Sequence, residues 1–370
     1  MSHDGAATTV AANEISVVVP GDVDDATAPS GGNVYDRQLC RSLASAGRPV
    51  RELAVPGTWP RPAARDRAAL DHALAGLPEG AVVLLDGLVA CGVPGVVVPH
   101  ADRLRLAILV HLPLADETGL PDHVAADLDA RERAVLRAAA AVVATSPWAR
   151  RRLVDHHGLH PGRVHAVPPG TEPAPLAPGT DGATRLLCVA SLTPRKGHDL
   201  LVEALAAVAH LPWNCEFTGP LDRDPGHVMR LRRLIGRHRL GDRVRLTGPK
   251  GGPRLAAAYA AADLTVLPSR AETYGMVVTE ALARGVPVLA TAVDGVPETL
   301  GHASGAVPGL LVPPDDPGAL AAALRHWLVE PELRSRLRTT ARLRRGTLRG
   351  WDDTSHRMAA VLDGLRREGR

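Results

Sequence analysis

The sequence predicts an α/β protein built from two doubly wound, Rossmann-like domains. Three observations carry this: short β-branched apolar runs alternate with helix-period segments, the alternation falls into two blocks, and a Pro/Gly-rich run separates the blocks. At 370 residues the chain is long enough for two domains of ordinary size, each with its own core. The boundaries read as 15–167 for the first domain, 168–183 for the linker, 184–350 for the second domain and 351–370 for a C-terminal helical segment. Residues 1–14 read as a disordered N-terminus. They lack the basic stretch followed by an apolar core that a signal peptide needs.

In the first block, residues 15–19 form the first strand, and the spacing of Val34, Leu39 and Leu43 makes 33–46 a helix closed by Gly47. Residues 81–85, 104–110 and 141–144 continue as strands. Ser146 and Pro147 then open a helix, since a serine hydroxyl can accept a free amide and proline brings none to satisfy. The Pro/Gly-rich run 168–179 makes up most of the linker. In the second block an apolar strand from Leu186 meets the turn Pro194-Arg195-Lys196-Gly197, and a helical pattern follows through Leu200, Leu201, Leu205 and Val208. Strands follow at 215–218 and 244–247. Residues 264–267 read as a buried parallel strand stopped by Pro268, and 276–284 as a helix with Gly285 capping it and Pro287 just beyond. The last helix spans roughly residues 354–366, and no solenoid-period repeat is present.

The chemistry concentrates where these strands end. Glu272 lies in the loop at the carboxyl end of the 264–267 strand, where ligands bind in open α/β sheets, and Glu280 lies about a turn inside the following helix. Gly275 between them lets backbone approach a ligand, and the free amides of the first helical turn suit a phosphate. Two carboxylates and a phosphate site must serve different parts of one ligand, because three negative groups on one point would repel. A sugar hydroxyl and a ribose hydroxyl are natural partners, so the segment reads as a sugar-nucleotide donor site. The plainer alternative is a solvated loop residue and a helix-surface residue. Arg195 and Lys196, at the exit of the other strand, match a diphosphate. Lys196 and Lys250 are the only lysines among 43 basic residues, so a lysine at this turn suggests a need for a compact point charge rather than an exposed loop cation.

Composition narrows the classes. A formal charge of +3 is too mild to argue for nucleic acid, and 2% aromatic content removes the stacking platforms of a single-strand binder. Cys40, Cys91, Cys188 and Cys215 lack paired-ligand spacing and read as reduced thiols of a cytoplasmic protein. No window approaches the ~18 apolar residues of a membrane span. There is no Gly-x-Gly-x-x-Gly after the first strand and no Gly-Lys-Ser/Thr loop, so dinucleotide redox chemistry and ATP hydrolysis lose their main support.

The flanks of the two carboxylates, Pro268-Ser-Arg-Ala-Glu272 and Ala281-Leu-Ala-Arg-Gly-Val-Pro-Val-Leu-Ala-Thr291, together with Pro194-Arg-Lys-Gly197, resemble the signature of retaining glycosyltransferases of family 4. The resemblance implies the GT-B fold, two domains facing across a cleft, with the last helix packing back on the first. It implies that Glu272 contacts sugar hydroxyls, Glu280 the ribose and Lys196 the donor diphosphate, within a donor set of Tyr274, Gly275, Met276 and Val277. The chain departs from the pattern at Ser191, where many members carry a second diphosphate-binding arginine, so either Arg195 takes over that charge or the diphosphate is held less tightly. By the same resemblance the reaction retains anomeric configuration and uses neither a metal nor a cofactor, the nucleoside-diphosphate sugar being the donor substrate and a small molecule or glycan the acceptor. Within enzymes the alternative is a nucleotide-sugar epimerase or a sugar phosphorylase on the same fold, and from another class a non-catalytic sugar-nucleotide-binding protein.

In the first domain Gly31 and Gly32 either bring backbone amides to a donor phosphate, as the position resembles the family's glycine-rich loop, or belong to an ordinary flexible loop with an Asn33 cap. His111 follows the apolar run 106–110 and matches the family's cleft histidine, against the alternative of a half-buried, hydrogen-bonded histidine. Asp116 and Glu117 sit on a polar loop that can face an acceptor. Three other features read as structure. Asp22-Val-Asp24 is a solvated loop, and the tract His156, His157, His160 has no cysteine or carboxylate pattern to complete a zinc site. The arginine-rich run 334–345 is a solvated helix face, with membrane-surface contact the less favoured reading.

Overall fold

The computed structural model describes residues 14–25, 27, 29–180 and 183–367. Of the segments expected to be irregular, 1–13 and 181–182 lie outside the described residues. Two parallel sheets of six strands each make up the frame. The first contains β1 (Ile15–Pro20), β2 (Val50–Val55), β3 (Val82–Asp86), β4 (Arg105–Val110), β5 (Ala141–Ala144) and β6 (Val164–Ala166), in the order β2-β1-β3-β4-β5-β6. The second contains β7 (Arg185–Val189), β8 (Asn214–Thr218), β9 (Val244–Leu246), β10 (Leu264–Leu267), β11 (Val288–Thr291) and β12 (Gly309–Val312), in the order β12-β11-β10-β7-β8-β9.

Parallel pairing needs a crossover on each connection, so helices cover both faces and the inner strands are apolar on both sides. All six residues of β1 are buried, as are all four of β10. One cluster, with Val83, Leu85, Ile108 and Val142, lies on one face of the first sheet; another, with Val17, Leu84, Leu109 and Val143, lies on the other. In each sheet the strand order reverses once, between β1 and β3 and between β7 and β10. The crevices at the carboxyl ends of those strands are the positions where open α/β sheets bind ligands.

The helix Trp351–Arg367 begins three residues before its sequence prediction and packs on the first sheet. Met358 and Leu362 are fully buried against Tyr35, Leu39 and Leu43, each burial worth about 1.5–3 kcal/mol. Arg48 grips Asp363 with two hydrogen bonds of 2.8 and 2.7 Å, and Thr354 Oγ1 donates to the Pro168 carbonyl at 2.9 Å. The chain therefore crosses between the domains twice, and the crossings touch where Thr171 N donates to Arg349 O at 2.9 Å. The Arg-rich run corrects its sequence reading in part. Arg345 donates to the carbonyls of Ala174 and Ala283, Arg344 to that of Leu300, and Arg338 pairs with buried Asp263, so the helix Pro331–Arg345 is lashed to the second domain and the linker. The periodicity shows which side of a helix is charged, but not that carbonyls of another segment will meet it.

Candidate active site

On the second domain, β7 runs into the short turn Pro194–Lys196, and Gly197 closes it at φ +66°. Any Cβ at Gly197 would lie 1.9 Å from the Pro268 carbonyl oxygen, so glycine alone lets this turn press against the end of β10. The close approach delivers Lys196 to Glu272. Their ion pair is joined by the Ser269 hydroxyl at 2.9 Å and flanked by Arg195, whose Nη1 is 4.0 Å from Glu272 Oε2. Burial alone would raise the Glu272 carboxyl, but Lys196 and Arg195 beside it hold it below the usual range. Burial likewise lowers Lys196, and Glu272 offsets part of that. Glu272 N donates to Asp294 Oδ2 at 2.8 Å, which fixes the loop.

Gly275, at φ +82°, precedes the helix Met276–Ala283, and no side chain caps that helix. Val278 N donates to the Gly275 carbonyl at 2.9 Å, which leaves the Met276 and Val277 amides to face an anion. Glu280 faces Tyr259, whose hydroxyl donates to Oε2 at 2.7 Å, and burial raises the Glu280 carboxyl. Among the described residues Oε1 has no hydrogen-bond partner. Tyr274 is half-buried, its hydroxyl pushed up to about 12 by burial.

On the first domain the helix Gly31–Ser45 is capped by Ser30, which accepts from Asn33 N at 3.0 Å, so the cap is the serine and not Asn33. Gly31 and Gly32 form its first turn and stand at the crevice. A Cβ on Gly31 would lie 3.7 Å from Met276 Sδ, and one on Gly32 would lie 3.2 Å from the His111 ring. Two helix N-termini, one from each domain, thus converge on the same gap. His111 follows β4, and its carbonyl accepts from Thr273 Oγ1 at 2.6 Å across the cleft. Ser146 Oγ donates to the Thr273 carbonyl at 2.6 Å, tying a third loop to the same residue. Arg195 Nε bridges to Glu117 Oε1 at 3.1 Å, whereas Asp116 is held by Arg152 at 3.2 Å.

The fold thus brings Gly31, Gly32, His111, Glu117, Arg195, Lys196, Glu272, Tyr274, Gly275 and Met276 to one cleft; Val277 and Glu280 continue it along the helix. Sequence reasoning missed Asp36 and Asp86, both buried beneath His111, and Asp294 behind Glu272. Asp86 ends β3, so the strand-end rule that singled out His111 applies to it as well. Asp36 stands in the apolar stripe with Leu39, Cys40 and Leu43, and a charge in that stripe is a signal. The histidine tract also acquires a carboxylate the spacing could not show: Asp129, from the helix Asp122–Ala138, lies with His156 and His157 within 4.8 Å. Arg133 already donates to Asp129 at 2.9 Å, which opposes a cation there, and His160 turns away to accept from Gly162 N.

The arrangement is that of a GT-B protein, two Rossmann-like domains facing across a cleft. The family model described as Glycosyl transferases group 1 matches residues 178–344, and that described as Glycosyltransferase Family 4 matches 78–174. A relative from Catenulispora acidiphila, called D-inositol 3-phosphate glycosyltransferase 1, is 33% identical over 300 residues, covering 75% of this chain and 68% of its own. The chain belongs to the group 1, family 4 glycosyltransferases. A D-inositol 3-phosphate glycosyltransferase from Kineococcus radiotolerans is 35% identical over 260 residues, 64% of this chain, and the match spans 59% of the relative's length. Among solved structures, sucrose-phosphate synthase from Thermosynechococcus elongatus superposes with a TM-score of 0.78 at 24% identity, over 96% of this chain and 100% of that one. Anabaena Alr3699/HepE in complex with UDP-glucose gives 0.72 at 17% identity, over 95% and 99%. At these identities the superpositions speak to the fold. Among the described residues no helix is long and apolar enough to cross a membrane.

Proposed function

We propose that this chain transfers a sugar from a nucleoside-diphosphate sugar to a hydroxyl acceptor, with retention at the anomeric carbon and without a metal ion. The observation that carries the reading is the Lys196–Glu272 pair at the switch point of the second sheet, beside an uncapped helix N-terminus and opposite Gly31. Lys196, with Arg195, would neutralise charge growing on the diphosphate as the glycosidic bond breaks. The leaving phosphate oxygen would then take the acceptor's proton while the new bond forms on the same face. Glu272 would hold the sugar and Glu280, through its free Oε1, the ribose. Electrostatic stabilisation of the leaving group is the largest contribution expected of such a site.

Lys196→Ala is expected to lower kcat by roughly a hundredfold or more, since removing one preorganised donor costs on the order of 3 kcal/mol. Turnover within a factor of three of the parent would make Lys196 a structural partner of Glu272 and not a diphosphate ligand. Because the relatives are called D-inositol 3-phosphate glycosyltransferases, that acceptor, with UDP-sugars as donors, is the first combination to assay. Release of free nucleoside diphosphate only when an acceptor is present would separate transfer from epimerisation and from simple binding, and the same turnover in EDTA would exclude a required metal.

A further inference from the structure

We propose that Asp36 and Asp86, buried beneath the cleft, share one proton and together position His111, with its Nε2–H directed to Asp36 and Nδ1 left to accept a substrate hydroxyl. This rests on His111 being a cleft residue of the transferase. His111 Nε2 is 2.9 Å from Asp36 Oδ1 and 3.7 Å from Asp86 Oδ2, and one oxygen of each carboxyl lies with Nε2 inside 4.8 Å. The carboxyl-bearing residues are only 2% and 4% exposed. Asp36 Oδ2 is buried and finds no donor among the described groups. An oxygen of Asp86 lies within 4.8 Å of one of Asp36, and a protonated Asp86 carboxyl donates to Asp36; its Oδ1 is already occupied by the Leu88 amide, so the hydrogen belongs on Oδ2.

Two ionised carboxylates here would be an uncompensated buried charge, which is more costly than keeping a proton. Arg37, the nearest guanidinium acting on Asp36, is held outward by Asp24 and Glu52. The other groups around the pair bring no positive charge: burial pushes the Tyr35 hydroxyl and the Cys40 and Cys91 thiols up, and Tyr274 across the cleft likewise. Burial pushes Asp36 up to about 7 and Asp86 well above the carboxylate range. Burial lowers His111, offset in part by Asp86, so near neutral pH the ring carries one N–H. Asp36 fixes that hydrogen on Nε2 and thereby the tautomer. Tyr35, edge-on at 5.2 Å, and the bare Gly32 hold the ring in place. Among the described residues Nδ1 has no hydrogen-bond partner.

The test uses the full chain labelled with 15N-histidine, with His111→Gln assigning the resonance. The ring should be the Nε2-protonated tautomer at pH 7. It should remain so in Asp86→Asn, whose amide is a permanent donor to Asp36, and become a tautomer mixture in Asp86→Ala; Asp36→Ala, which removes the acceptor of Nε2–H, should give the same mixture should Asp86→Ala fail to fold. In turnover, loss of the shared proton should give an alkaline limb, which Asp86→Asn should move up by a pH unit or more, while Asp86→Ala should lower kcat about tenfold at every pH. A ring protonated on Nδ1, or an unmoved alkaline limb, would overturn the proposal. So would a stoichiometric divalent ion in the purified protein that disappears in Asp86→Asn, because a cation would then stand where the proton is placed. If no transfer is found with any substrate, the spectra still report the tautomer, so failure of this pair and failure of the transferase reading are distinguishable.

Discussion

Glu272 and Glu280 are both carboxylates on one loop-helix segment, yet their surroundings differ. Glu272 is locked to a lysine, whereas Glu280 is held by a tyrosine a turn deeper in the helix, and the proposed roles follow that division. Glu272→Ala is expected to leave affinity for free nucleoside diphosphate nearly intact while weakening the whole donor, a charged hydrogen bond being worth roughly 1.5–3 kcal/mol. Glu280→Gln is expected to weaken the bare nucleotide and the donor alike, because an amide keeps the hydrogen bond but loses its charge-assisted strength. Titration calorimetry with both ligands decides between them: equal losses for Glu272→Ala would put the two carboxylates on the wrong halves of the ligand. Glu272, Lys196 and His111 were singled out in the sequence because each stands in the loop after a strand, and Glu280 because it lies about a turn into the helix that follows Glu272. Asp36, Asp86 and Asp294 were not read, since what marks them is one another's company, and they lie 22 or more positions from the residues they serve.

At the scale of elements, most inner strands were legible; of the four strands that were not, β2, β6 and β12 are edges and β11 is an inner strand. β1, β4, β5 and β10 are buried and mostly apolar, with Ser16, Arg105 and Thr265 the exceptions, whereas edge strand β2 reads Val-Arg-Glu-Leu-Ala-Val, with Arg51 and Glu52 exposed. An edge strand faces solvent along one side, so its pattern breaks and the period-2 signal weakens. β6 has three residues, too few for a pattern. What sets the site, though, is how closely two turns approach, and that depends on Gly197. Gly197→Ala would put a methyl group against the Pro268 carbonyl in a left-handed backbone, and is expected to cost roughly 2–4 kcal/mol. Urea denaturation would measure it; a loss below about 1 kcal/mol would mean that the Pro268 strand end yields readily and that the approach is not what seats Lys196 beside Glu272.

At the scale of the molecule, the first domain is completed by the last helix. Truncation after residue 350 would strip Trp351, Met358 and Leu362 from Tyr35, Leu39 and Leu43 and remove the Arg48–Asp363 pair. The truncated chain is expected to bind an apolar dye and lose cooperative unfolding of its first domain, and an unchanged unfolding transition would refute the helix's part in that core. The same feature bears on how the protein is made. Thr354 reaches back to Pro168 across 186 positions, so a ribosome working at ~5–20 residues per second finishes the first domain's strands roughly 10–40 s before it releases the helix that covers them. For that interval the nascent first domain presents an open apolar flank while the second is still being threaded out. The gene order of the two halves thus makes the N-terminal half wait, and a chaperone that shields nascent chains would find its binding surface on the helix Gly31–Ser45.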